Sequence, residues 1–128
     1  MPELKWDETD FLDCLEVFPA IEEGGTFYTY EVMKNDLVLT VSVSPLDSCV
    51  FLSLRQCSDA KPNINYGFVV RDGIVQERKN GDDYLEFRAC FFTRLWAWEV
   101  DATEEEFKTK PGRTIQVSIK PQIRIEFM

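Results

Sequence analysis

Apolar and polar positions alternate most regularly over residues 36–56. Leu37, Leu39, Val41 and Val43 interleave with Val38, Thr40, Ser42 and Ser44, and beyond the tetrad Pro45, Leu46, Asp47 and Ser48 the residues Val50, Leu52 and Leu54 interleave with Phe51, Ser53 and Arg55. A period of two on both sides of a turn-forming tetrad predicts an antiparallel hairpin. Two strands cannot cover their own apolar face, so the hairpin must be extended into a sheet and roofed by a second layer.

One stretch follows a helical period instead. Over residues 6–18, Phe11, Leu12, Leu15 and Phe18 form an apolar stripe with Asp10, Asp13 and Glu16 off it. Asp7 is placed to cap the first turn, Glu8 and Asp10 suit the positive end of the helix dipole, and Trp6 with Phe11 has the spacing of a hydrophobic staple. Pro19 ends the helix, and residues 20–25 are expected to loop into the next strand. A helix this short needs a surface to dock on.

The remaining pattern is mostly strand. Residues 26–33 alternate, with Tyr28, Tyr30 and Val32 on one face, and should form a meander with the hairpin. Residues 64–71 and 74–78 flank Asp72-Gly73, the strongest turn signal in the chain, and are expected to pair as a hairpin. Over residues 84–92, Leu85, Phe87, Ala89 and Phe91 are expected inward, opposite Tyr84, Glu86, Arg88 and Cys90. Residues 93–100 read as a strand buried on both faces, followed by a polar excursion in which Thr103 and Glu106 have capping-box spacing. Residues 114–120 and 123–127 complete the set, the last as an edge strand set off by Pro121. The expected class is α+β: one domain spanning residues 1–128, a strongly twisted antiparallel sheet of seven to nine strands (meander, half-barrel or two-layer), with the N-terminal helix packed on it.

Composition adds charge to this picture. The chain of 128 residues is 45% hydrophobic with a net charge of -9, apolar enough for that charge to be a surface property. It is unevenly spread. Residues 1–31 carry nine carboxylates against Lys5, a net of -8, and residues 32–128 carry fourteen acids and thirteen bases, a net of -1. The first quarter should therefore repel phosphate backbones and anionic lipid and attract a cationic surface. Cys14, Cys49, Cys57 and Cys90 lack short spacings and lie near apolar neighbours, which predicts four buried or half-buried free thiols. Residues 1–7 show no basic region leading into an apolar core, and no run of eighteen apolar residues occurs, so a cytoplasmic, non-membrane chain is expected.

Candidate chemistry is sparse. Without histidine there is no Ser-His or Cys-His constellation, and no cofactor or metal site is expected. Asp72, Glu77 and Lys79 resemble the acid, then acid-x-lysine spacing of metal-dependent nucleases, but the Asp72-Gly73 turn already requires Asp72, charged residues are ordinary at a strand end, and an acidic chain disfavours nucleic acid. Neither glycine-rich phosphate loop is present.

What remains favours binding over catalysis. Acidic residues Asp7, Asp10, Asp13, Glu16, Glu22 and Glu23, with Tyr28 and Tyr30 on the neighbouring strand, make the first candidate site, suited to a basic protein partner. Tyr66 and Tyr84 would extend it if the outer faces of the strands align. In size and charge the chain is similar to bacterial immunity proteins, a likeness of composition that transfers no residue and implies capture of a basic toxin. A second reading is a small-molecule or peptide pocket inside a curled sheet, lined by Phe87, Phe91, Trp96 and Trp98. A third is a structural subunit that forms a homodimer through the final edge strand.

Overall fold

The computed structural model describes residues 3–59, 61–62, 64–93 and 103–128. Nine strands form one antiparallel, strongly twisted sheet that stays open: β1 (Ala20–Ile21), β2 (Tyr28–Lys34), β3 (Leu37–Ser44), β4 (Cys49–Gln56), β5 (Ile64–Val70), β6 (Ile74–Lys79), β7 (Asp82–Thr93), β8 (Arg113–Ser118) and β9 (Arg124–Phe127). Helix α1 (Glu8–Leu15) packs against β6 and β7. Among the described residues no helix is long and apolar enough to cross a membrane.

The opening hairpin forms as its alternation requires. Leu39 faces Leu54, Val41 faces Leu52 and Val43 faces Val50, and all of these except Leu54 are fully buried. Strand β2 adds Tyr30 and Val32 to the same face, opposite Val41 and Leu39. Helix α1 roofs this face with Phe11, Cys14 and Leu15. Asp7 caps it by accepting from the Thr9 amide at 2.8 Å, and the Trp6 ring meets Phe11 edge-on at 5.3 Å, closing the staple. The helix stops earlier than the sequence suggests. Glu16 turns left-handed, with φ 59°, and its amide returns to the Leu12 carbonyl. The stripe is thereby cut short: Phe18 is 82% exposed, and Leu12 lies at the edge of the contact. After Pro19 the chain makes a two-residue strand and a 3-10 turn at Glu23–Gly25, where a plain loop was expected.

Two corrections concern β7. Asp72-Gly73 does not close a hairpin, because β5 and β6 do not pair with each other; they lie end to end along one edge of the twelve-residue β7. Pairing continues through the joint, where the Arg71 amide donates to the Ala89 carbonyl, Asp72 to Arg88, and Arg88 back to Gly73, at 3.0–3.1 Å. Gly73 permits this kink, with φ 93° and the Lys5 carbonyl 2.9 Å from where a Cβ would stand. The second correction is a bulge. Register with β8 shifts between Phe87 and Cys90, and Ala89 takes φ 56°. An extra residue inverts the alternation beyond it, so Cys90 and Phe92 join the core side with Leu85 and Phe87, and Phe91 turns to the other face.

That other face carries α2 (Glu104–Thr109). Its capping box forms as the spacing suggests, with Thr103 and Glu106 bonded reciprocally. Phe107 lies on Phe91 at 5.0 Å, and Arg71 sits over the Phe91 ring while donating to the Phe107 carbonyl at 2.7 Å. The strand expected over residues 93–100 falls beyond Thr93 outside the described residues. All four cysteines are free, with Cys14, Cys49 and Cys90 buried; Cys57 is exposed, contrary to expectation, because it lies past the end of β4.

Candidate functional site

The candidate site is the outward side of α1 together with β1 and the segment between them. Phe11 fixes it in place, touching Trp6, Tyr30 and Phe87 at 5.3, 4.9 and 6.3 Å. With that side anchored, Asp7, Glu8, Asp13 and Glu16 are exposed and Asp10 is half-buried. Glu22 and Glu23 follow β1 and are also exposed.

Few of these acids are held by a base. Lys120 binds Glu16. Among the described residues, Asp7, Glu8, Asp10, Asp13, Glu22 and Glu23 have no lysine or arginine within ion-pair distance. Their fields act on each other instead. Burial, and then Asp7, push the Asp10 carboxyl above the usual range, the Gln76 amide draws it down, and Asp13 adds to the rise. Burial, followed by Asp83, Asp10 and Asp13, pushes the Cys14 thiol up to about 12. Cys14 is a core residue, not a nucleophile.

The tyrosines do not gather as the sequence suggested. Tyr30 is 1% exposed and part of the core, so it is removed from the outer patch. Tyr28 is half-buried, edge-on to Trp6 at 4.9 Å. Tyr66 packs with Phe92 and Phe127 far along the sheet, and Tyr84 lies opposite Glu77 on β6. The alternative pocket is likewise overturned. Phe87 is fully buried against Phe11 and Phe68, and Phe91 is on the opposite face under Phe107, so the two cannot line one cavity. Trp96 and Trp98 lie outside the described residues. Two members of the nuclease-like triad are held in ion pairs, Asp72 with Arg71 and Glu77 with Arg88.

Sequence reasoning missed a groove. Leu12, Phe18, Pro19 and Ile21 wall a depression of about 320 Å³, with Glu8 and Thr9 on its rim and Tyr30 beneath. The signal available was an apolar residue next to the proline that ends a helix, but only the early stop at Glu16 releases Phe18 from the stripe.

No protein-family model matches this chain, and no curated protein matches it. Its fold does have a counterpart. One chain of the contact-dependent growth inhibition toxin–immunity protein complex from Klebsiella pneumoniae 342 superposes with a TM-score of 0.72 over 100% of this chain and 98% of that one. At 16% identity the likeness is one of fold.

Proposed function

We propose that this chain is an immunity-type binding module, which captures a cationic protein through the α1–β1 side and thereby inhibits it. The observation that carries this reading is the group of carboxylates around α1, of which Asp7, Glu8, Asp10 and Asp13 meet no cation among the described residues. Exposed like charges cost stability, and a partner of opposite sign relieves that cost while its approach is accelerated by their field. The fold likeness to a chain from a toxin–immunity pair supports the same reading. A binding role also fits a sequence that contains no histidine and whose Asp72 and Glu77 are held in ion pairs. Cytoplasmic residence belongs to the proposal, since the target would be met inside the cell.

The test is co-expression. The protein encoded beside this chain should be cationic, toxic when produced alone and harmless when produced with it, and the purified pair should dissociate as salt is raised. A neighbour that is harmless alone, or a toxin that this chain neither binds nor neutralises, would overturn the reading.

A further inference from the structure

The groove beside α1 contains a polar atom that the fold leaves unused. Tyr30 is almost wholly buried, yet among the described residues its hydroxyl has no hydrogen-bond partner. Buried polar groups are nearly always bonded, because leaving one unpaired forfeits its hydration without return. Phenylalanine would fill the same space beside Phe11 without that penalty. A group seated in the groove that Tyr30 lines would supply the missing partner.

The surroundings define what that partner is. Tyr30 underlies the groove, Glu8 stands on its rim without an ion pair among the described residues, and the walls formed by Leu12, Pro19 and Ile21 are apolar. Burial, then Glu8, then Tyr28 push the Tyr30 phenol up, so it is a neutral O–H at physiological pH. An apolar trough ending in a carboxylate and a hydroxyl suits a side chain with a hydrocarbon stem and a cationic head. Arginine suits it better than lysine, since its planar fork carries several N–H donors, can serve two acceptors together, and can stack on an exposed ring. Phe18 supplies that ring: it is 82% exposed, and among the described residues it packs against no other aromatic.

We propose that the α1–β1 groove seats one arginine side chain of the protein partner, its stem lying on Leu12, Pro19 and Ile21 and its guanidinium donating to the Glu8 carboxylate and the Tyr30 hydroxyl oxygen. This rests on the reading that the partner is a cationic protein, and adds the place where a single residue of it is recognised.

The test titrates the isotope-labelled full chain with the pentapeptide Gly-Ser-Arg-Ser-Gly, following amide shifts by NMR, with citrulline and lysine versions as controls. Shifts should cluster at residues 8–21 and 28–32, and the citrulline peptide should bind roughly tenfold more weakly, as expected when a charge-assisted hydrogen bond is lost. Glu8→Gln should weaken the arginine peptide by a similar factor. Tyr30→Phe should weaken it while leaving the melting temperature unchanged or higher, a combination that a purely structural tyrosine would not produce. Equal binding of the citrulline peptide, shifts spread evenly over distant acids such as Asp36 and Asp59, or full affinity in both variants would overturn the proposal. The peptide result stands apart from the capture reading: a toxin bound equally by wild type and Glu8→Gln refutes the groove alone, and a groove that takes arginine in a chain with no toxin partner refutes capture alone.

Discussion

On the outer face of β6, β7 and β8, Arg88 donates to Glu86 at 2.7 Å and to Glu77 at 2.8 Å, and Gln116 adds a bond to Glu86 at 3.1 Å. Around α1, Asp7, Glu8, Asp10 and Asp13 meet no cation among the described residues. The side chains are the same in kind; their circumstances are opposite. In the β6–β8 region Arg88 stands two residues from Glu86 on β7 and reaches across to Glu77 on β6, while Gln116 lies opposite Glu86 on β8. Among the described residues, the one ion pair at α1 is that of its capping residue Glu16 with Lys120, which follows β8. Glu31, Asp36, Asp59 and Glu105 also lack an ion pair among the described residues, so what sets α1 apart is that its unpaired acids are close enough to act on one another.

The sharpest way to break this contrast is to remove what holds α1 in place. Phe11→Ala should lower stability by about 3 to 5 kcal/mol, read from urea unfolding, because a fully buried ring with three aromatic neighbours leaves a cavity. A loss below about 1 kcal/mol would mean that α1 is not docked as described.

Charge removal should separate the two regions by function. Replacing Asp7, Asp10 and Asp13 together by asparagine keeps a capping side chain at position 7, so stability should be unchanged or higher. Association with a cationic partner should slow by roughly tenfold at low salt, with dissociation altered far less. The reverse holds for the paired face. Arg88→Ala should cost roughly 1 kcal/mol, the modest figure appropriate to ion pairs left partly open to water, and should not change partner association. Equal effects of both replacements on association would erase the distinction.

The smallest effect is a pH dependence. Asp10 titrates above the usual carboxylate range in the folded chain, so the folded state holds that proton more tightly than the unfolded state does. Its contribution to stability therefore falls as pH rises through the folded value, and it is neutral where both states are protonated. Asp10→Asn should melt higher than wild type at pH 7, with the difference gone below about pH 3. An unchanged difference across that range would show that the effect is not one of charge.

Much of this could be read without coordinates. Alternation fixed the β3–β4 hairpin, the capping chemistry of Asp7 and Thr103 marked where both helices begin, and the crowding of acids before residue 32 is plain from the sequence. These are local or compositional properties, determined by residues a few positions apart. The candidate site was legible in its charges alone.

Which face each side chain takes, and what lies beside it, required the assembled sheet. Ala89 has nothing in its flanking sequence to announce a bulge, yet one added residue sends Phe91 to α2 and Phe92 to the core and so dissolves the pocket that strict alternation predicts. Asp72-Gly73 has the chemistry of a hairpin turn, but a β7 long enough to pair with both flanking strands makes it a kink. The fate of Tyr30 was decided in the same way, by a helix that arrives from earlier in the chain and covers it. Sequence determines the conformations that neighbouring residues prefer; burial and pairing depend on partners tens of residues away, and only the tertiary structure brings those together.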